Sequence, residues 1–178
     1  YEFGIFPSGD IERMKLADSS FLPVKPSIQH GVGKDTIEKD FDVLAKMTNM
    51  VKTSNKPFFG FMFFNSSHHQ YYYPDEFAKF TPYKSPSIID YKQGKNPEPY
   101  LNHYKNSLYF VDSLIGKLVT TLKEEGKWQN TILVITSDHG EEFADTRPTR
   151  FGHGSNYTRF QTHVPLVIHW PGKAAKSF

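Results

Sequence analysis

Three places in this 178-residue chain put residues capable of metal or acid–base chemistry where the backbone must turn. "TILVITSDHGEEF", Thr131 to Phe143, runs apolar and β-branched residues straight into Asp138 and His139, then Gly140. Neighbouring side chains on a strand point to opposite faces, so this carboxylate and imidazole converge only where the strand breaks. Gly140 permits that break. One hard oxygen and one imidazole nitrogen suit zinc or manganese and, with more oxygens, calcium or magnesium. A purely structural role would make Asp138 a cap for the next segment and His139 a polar residue at a strand end. "RFGHGSNY" then sets His153 between Gly152 and Gly154, which lets the chain fold tightly around an imidazole and is equally ordinary turn punctuation. "FFNSSHHQYYYP" sets His68 and His69 just past a second apolar run, where a histidine can donate to an anionic oxygen or simply face solvent. His68 ranks ahead of His69 as the site residue.

The elements that must position these residues are set by periodicity. Ile37, Phe41, Leu44, Thr48 and Val51 recur at helical steps between Gly33 and Thr53, and Asp35 followed by Glu38 has the form of a capping box. "KPFFGFMFFN", Lys56 to Asn65, reads as a strand buried on both faces. Residues 66–99 carry five prolines and much Tyr, Ser and Lys, and read as a long surface excursion of the kind that often serves function. Leu101, Tyr104, Leu108, Val111, Ile115, Leu118 and Leu122 form a second helical stripe that stops at Gly126. Two further apolar runs are Thr131 to Thr136 and Val164 to Trp170. Helices alternating with buried runs predict an α/β fold with a mostly parallel sheet flanked by helices, and ligands in such sheets sit beyond the carboxyl ends of the strands. Residues 1–34 read as an irregular lead-in.

Composition bounds the function. A net charge of +2 is too small to argue for nucleic acid, and the absence of cysteine excludes disulfides, a thiolate zinc site and a cysteine nucleophile together. No run approaches the roughly 20 apolar residues of a spanning helix, and "YEFGIFPSGD" lacks the order of a signal peptide. "GVGKDT", Gly31 to Thr36, fails the phosphate-loop pattern twice, with Ile28 five places before Gly33 and Asp35 after Lys34. His163 and His169 read as packed or solvent-facing, and His30 and His103 have no nameable partners. Asn65 and Asn156 head glycosylation sequons.

"TILVITSDHGEEF" and "FGHGSNYTRFQTHVPLVIHWPGK" together resemble the C-terminal catalytic edge of the sulfatase branch of the alkaline phosphatase superfamily. The likeness extends in outline over about residues 56–173 and is most specific toward the C-terminal end. Within the branch, "YEFGIFPSGD" and "NYTRFQTHVPLVIHWPG" look most similar to the periplasmic domain of YejM/PbgA-type inner-membrane proteins of Gram-negative bacteria. The resemblance implies that Asp138 and His139 ligate a catalytic divalent metal (Ca, Mg, Mn or Zn). It implies that His153 ligates a second metal or contacts the anion, and that His68 binds the substrate's sulfate or phosphate, with His69 ambiguous. A Ser, Thr or formylglycine nucleophile is expected upstream of Tyr1, which makes residues 1–178 the C-terminal part of one sulfatase-like domain and the N-terminal remainder its partner. Two functions are then open. One is a metal-dependent hydrolase or transferase of sulfate or phosphate esters borne by a small molecule or lipid. The other is a periplasmic lipid-binding or regulatory domain, anchored to the inner membrane, with little or no turnover. In either, an aryl or lipid group would lie against Tyr71 to Tyr73 while its anionic head meets the histidines.

Overall fold

A computed structural model describes residues 1–154 and 156–177. The first helical stripe forms α1, Thr36–Thr53, and Asp35 caps it by accepting the Glu38 amide at 2.9 Å. Glu38 reaches back as a capping-box residue does, but its carboxylate takes the amide of Lys34 at 2.8 Å, one residue before the cap. The Val32 amide is held by Asp42, and the Gly31 amide by the Pro7 carbonyl at 2.8 Å, so three amides of "GVGKDT" are engaged within the fold.

The irregular lead-in expected over 1–34 instead opens on a strand, β1, Glu2–Pro7, paired in parallel with β2, Phe58–Phe63, in the register Glu2↔Phe58 to Pro7↔Phe63. Gly4 and the closing proline disguise it in sequence. A Cβ at Gly4 would meet the Phe6 ring at 2.5 Å and Met50 Sδ at 2.6 Å, and one at Gly60 would meet Met47 Cε at 2.5 Å. The glycines are there because α1 lies close on this pair, not because the strand is interrupted.

The second stripe forms α3, Glu98–Glu124, ending before Gly126 in the left-handed region (φ +65°). Helix α1 turns Val43, Leu44, Met47, Met50 and Val51 inward, and α3 turns Phe110, Leu114, Leu118 and Leu122 to meet them, with Phe6 of β1 buried among them and Phe58, Met62 and Leu133 at the margin. Phe110 is fully buried, its ring 5.3 Å from Phe41 and 5.1 Å from Phe77.

The remaining strands correct the expectation of a mostly parallel sheet. β3, Leu133–Thr136, pairs antiparallel with β6, Leu166–His169, and the two-residue strands β4, Glu142–Phe143, and β5, Phe151–Gly152, also pair antiparallel. Among the described residues β1–β2 is the one parallel strand pair, with an isolated parallel bridge from Ile5 to Ile28 beside it. A parallel return needs a long crossover, which α1 supplies for that pair, whereas between β3 and β6 the only helix among the described residues is the four-residue α4, Arg159–Thr162. The runs are also less buried than their composition predicts: Val134, Val167 and Ile168 are about half exposed, because β3 and β6 form a two-stranded sheet.

The excursion over 66–99 contains a 3-10 turn, Asp75–Phe77, and a short α-helix, α2, Ile88–Lys92, and is tied down by α3. Asn106 accepts the Phe80 amide at 2.7 Å and donates to the Phe80 carbonyl, and Asn102 donates to the Pro82 carbonyl at 3.0 Å. Buried Asp90 gathers Lys84, Lys95 and the Tyr100 hydroxyl, and these donors hold its carboxyl below the usual carboxylate range. His103 does have a partner, the Tyr73 hydroxyl at 2.5 Å, and His30 pairs with Glu12 at 2.9 Å. His169 stacks on Trp128 with ring centroids 3.7 Å apart.

Candidate functional site

The chain leaves β2 into a tight turn fixed from below. Asp40 of α1, fully buried, accepts the amides of Asn65 (3.1 Å) and Ser66 (3.0 Å) and the hydroxyl of Ser8. Burial pushes its carboxyl above the ordinary range, while the bonds from Ser66, Ser8 and Asn65 work against that rise. The turn then closes on itself: His68 N donates to Asn65 O, Tyr71 N to His68 O at 2.7 Å, and Tyr72 N to Ser66 O. Tyr71 sits at φ +64°, a strained conformation for an aromatic residue, held by burial against Tyr104 and Phe143. The expected aromatic platform is therefore not Tyr71 to Tyr73. Tyr71 is 2% exposed and belongs to the core, Tyr73 is engaged with His103, and Tyr72 alone of the three is open.

β3 ends at Thr136 and the chain breaks as expected. Ser137 Oγ donates to the His139 carbonyl at 2.7 Å, the His139 amide donates to Asp138 Oδ1 at 3.1 Å, and Gly140 N donates to Gln161 O at 2.8 Å. Gly140 is required by close approach: a Cβ there would lie 2.2 Å from the Phe160 carbonyl oxygen. The other two glycines of the loop, Gly152 and Gly154, do take positive φ, +88° and +77°.

These turns bring three of the expected residues together. The His139 and His153 rings lie 3.9 Å apart between centroids, His68 and His153 5.1 Å, and His68 and His139 6.4 Å. In each ring Nδ1 faces an acceptor: the Gly140 carbonyl for His139 (2.9 Å), the His69 carbonyl for His68 (3.0 Å), and the Glu141 carboxylate for His153 (3.2 Å to either oxygen). A carbonyl or carboxylate only accepts, so Nδ1 carries the proton and each neutral ring keeps its lone pair on Nε2. Such a nitrogen can ligate a cation or, once protonated, donate to an anionic oxygen. His69 points elsewhere, its ring 5.7 Å from Tyr71. Burial holds it below the ordinary imidazole range, Glu141 opposes this, and His68 and His153 reinforce it.

Asp138 is half exposed, with Oδ2 3.8 Å from His139 Nε2. The oxygen–imidazole donor set is of a kind that suits a divalent ion. Among the described residues no group of three or more His, Cys, Asp or Glu is arranged to hold a metal ion.

Two carboxylates escaped the sequence reading. Glu141, its side chain 3% exposed, orients His153, and its charge together with burial pushes Tyr104 up to about 12, burial being the larger cause. Glu142, fully buried, accepts from Thr146 N and Oγ1, Asn156 Nδ2 (2.9 Å) and Gln161 Nε2 (3.0 Å). The signal for Glu141 was its place directly after the Asp-His-Gly break. Nothing local marked it as the partner of His153, because their meeting depends on the β4–β5 pairing. The side-chain nitrogen of Asn156, head of a sequon, is committed to Glu142.

A family model described as Sulfatase matches residues 8–177. Among curated proteins the chain is similar to phosphoethanolamine transferase EptA of Salmonella typhimurium, 35% identical over 104 residues, covering 57% of this chain and 18% of that protein. It is also similar to inner membrane protein YejM of Salmonella typhimurium, 32% identical over 81 residues, covering 46% of this chain and 13% of that protein. The fold matches the C-terminal periplasmic domain of EcEptC from Escherichia coli with a TM-score of 0.66 at 21% identity, covering 97% of this chain and 49% of that one. The chain thus spans less than a fifth of the length of these two curated relatives. The likeness to YejM stands beside a comparable one to a transferase. No helix among the described residues is long and apolar enough to cross a membrane.

Proposed function

Because the chain belongs to the sulfatase family, we propose that it carries the anion-handling edge of a metal-dependent hydrolase or transferase acting on sulfate or phosphate esters. The observation that supports this reading is the cluster of His68, His139 and His153, each with Nδ1 engaged by an acceptor and, among the described residues, no hydrogen bond at Nε2. Asp138 and His139 would hold a divalent metal (Ca, Mg, Mn or Zn), which when bound lowers the pKa of a nucleophile and offsets charge on the ester oxygens. No nucleophile is assigned among residues 1–178. His68 and His153 face the ester's anionic oxygens and, when protonated at Nε2, donate to charge that grows as the leaving group departs. Glu141 accepts at His153 Nδ1 and keeps its ring aimed.

The second reading, a lipid-binding or regulatory domain on the periplasmic face of the inner membrane, is supported by the likeness to YejM and by the apolar β3–β6 face. A sensor needs only ground-state binding, whereas an enzyme needs interactions that strengthen in the transition state. His153→Ala in the intact protein separates the two. Its kcat on a sulfate or phosphate ester should fall about 100-fold while ester binding changes far less. Equal losses in binding and turnover, or no wild-type turnover across several metals and ester classes, would favour the regulator.

A further inference from the structure

The segment that bears His153 has little regular structure of its own. It leaves the two-residue strand β5 through Gly152 and Gly154, both at positive φ, and the next element among the described residues is the four-residue α4. The His153 imidazole in this loop meets Glu141 through a side-chain contact at 3.2 Å.

Glu142 makes a second contact to this segment. In the β4–β5 pair it stands opposite Gly152, next to His153. Glu141 immediately precedes β4 and meets His153, while Glu142, the first residue of β4, turns its carboxylate into the interior. There the Glu142 carboxylate gathers Thr146 from the turn before β5, Asn156 from the segment after His153, and Gln161 from α4. Gln161 also accepts the amide of Gly140, so the same carboxylate is joined to the break that carries Asp138 and His139. All four donors are uncharged. Burial pushes the carboxyl up, but the bonds from Thr146, Asn156 and Gln161 together outweigh it and hold the group below its ordinary value. A buried carboxylate is costly to desolvate, and a neutral side chain of similar size would fill the space at less cost. What a neutral side chain cannot do is accept from three separate segments.

We propose that Glu142 is the positioning residue of the site: it ties the loop around His153 so that the Glu141–His153 pair is held against His139. This rests on the reading of the three-histidine cluster as the anion-handling site. It assigns Glu142 no contact with the substrate.

The test is Glu142→Gln in the intact protein, read by NMR exchange of the His153 Nδ1 proton, by affinity for inorganic phosphate, and by melting temperature. Glutamine keeps the volume but turns an NH2 group toward donors. Asn156 cannot flip to accommodate it without losing the bond its Oδ1 accepts from Thr158 N at 2.9 Å. The expected result is exchange of the His153 proton accelerated by about 10-fold or more and phosphate affinity lowered about 10-fold, the range typical for loss of an outer orienting partner. The His30 ring, paired with Glu12 far along the chain, should be unaffected. A folded Glu142→Gln protein with wild-type protection at His153 would overturn the proposal. If Glu142→Gln does not fold, Asn156→Ala removes one donor and leaves the carboxylate; it should accelerate the same exchange, and unchanged protection there would equally overturn it. Faster exchange in a protein whose wild type binds no phosphate would uphold the positioning role and reject the anion-site reading.

Discussion

His153 Nδ1 lies 3.2 Å from both carboxylate oxygens of Glu141, an almost fully enclosed side chain two residues beyond His139. The carboxylate fixes which nitrogen of the imidazole carries the proton and which faces outward. Glu141→Gln replaces an ionic acceptor with a neutral amide of the same shape. It should lower phosphate-ester turnover or phosphate binding by about 10- to 100-fold. Steady-state kinetics with a parallel binding isotherm checks this, and an unchanged variant would show that the pair does not orient the ring.

Asp138 keeps Oδ2 clear of backbone bonds while Oδ1 accepts the His139 amide. Asp138→Asn preserves the turn but removes the charge a divalent ion needs. Elemental analysis of the purified intact protein should show metal content falling to a small fraction of wild type. Unaltered content would remove Asp138 from the ligand set.

Gly140 and Gly116 make a contrasting pair. A methyl group at Gly140 meets the Phe160 carbonyl oxygen at 2.2 Å, whereas one at Gly116, within α3, meets nothing within 4 Å. Gly140→Ala should destabilise by about 1–3 kcal/mol through overpacking, and Gly116→Ala should stabilise by about 0.5–1 kcal/mol through helix propensity. Urea denaturation of the two variants should move the midpoint in opposite directions.

Burial of His103 holds its imidazole below the ordinary range, with a bond to the Gln70 backbone opposing the shift. The unfolded chain takes up that proton first, at a pKa of about 6.5. Stability from this group is therefore complete above the unfolded value and is lost as pH falls toward the folded one. The melting temperature should decline from about pH 6.5 downward, and more shallowly in His103→Gln, where the buried base is gone. Identical pH slopes in the two proteins would exclude His103 as a source.

The amino-acid sequence by itself determined what neighbours within about one helical turn can determine. The stripes of α1 and α3, the Asp35 cap, the stop at Gly126 and the break after β3 are local, and they are where the spacing put them. The residue types at that break and at the end of β2 already named His68, Asp138, His139 and His153. Tertiary structure decided what depends on segments far apart in the chain. The β3–β6 pair runs antiparallel because no long helix carries the chain back, and β1 hides behind glycines that only a packed α1 explains. Tyr71 looked like an exposed platform and is core, because the turn that exposes His68 drives the next large side chain under it. Glu141 and Glu142 carried no periodic signal, since a two-residue strand is too short to have one. Their opposite directions, one toward His153 and one into a buried net of amides, exist only once β4 meets β5 and the loop between β5 and α4 has closed.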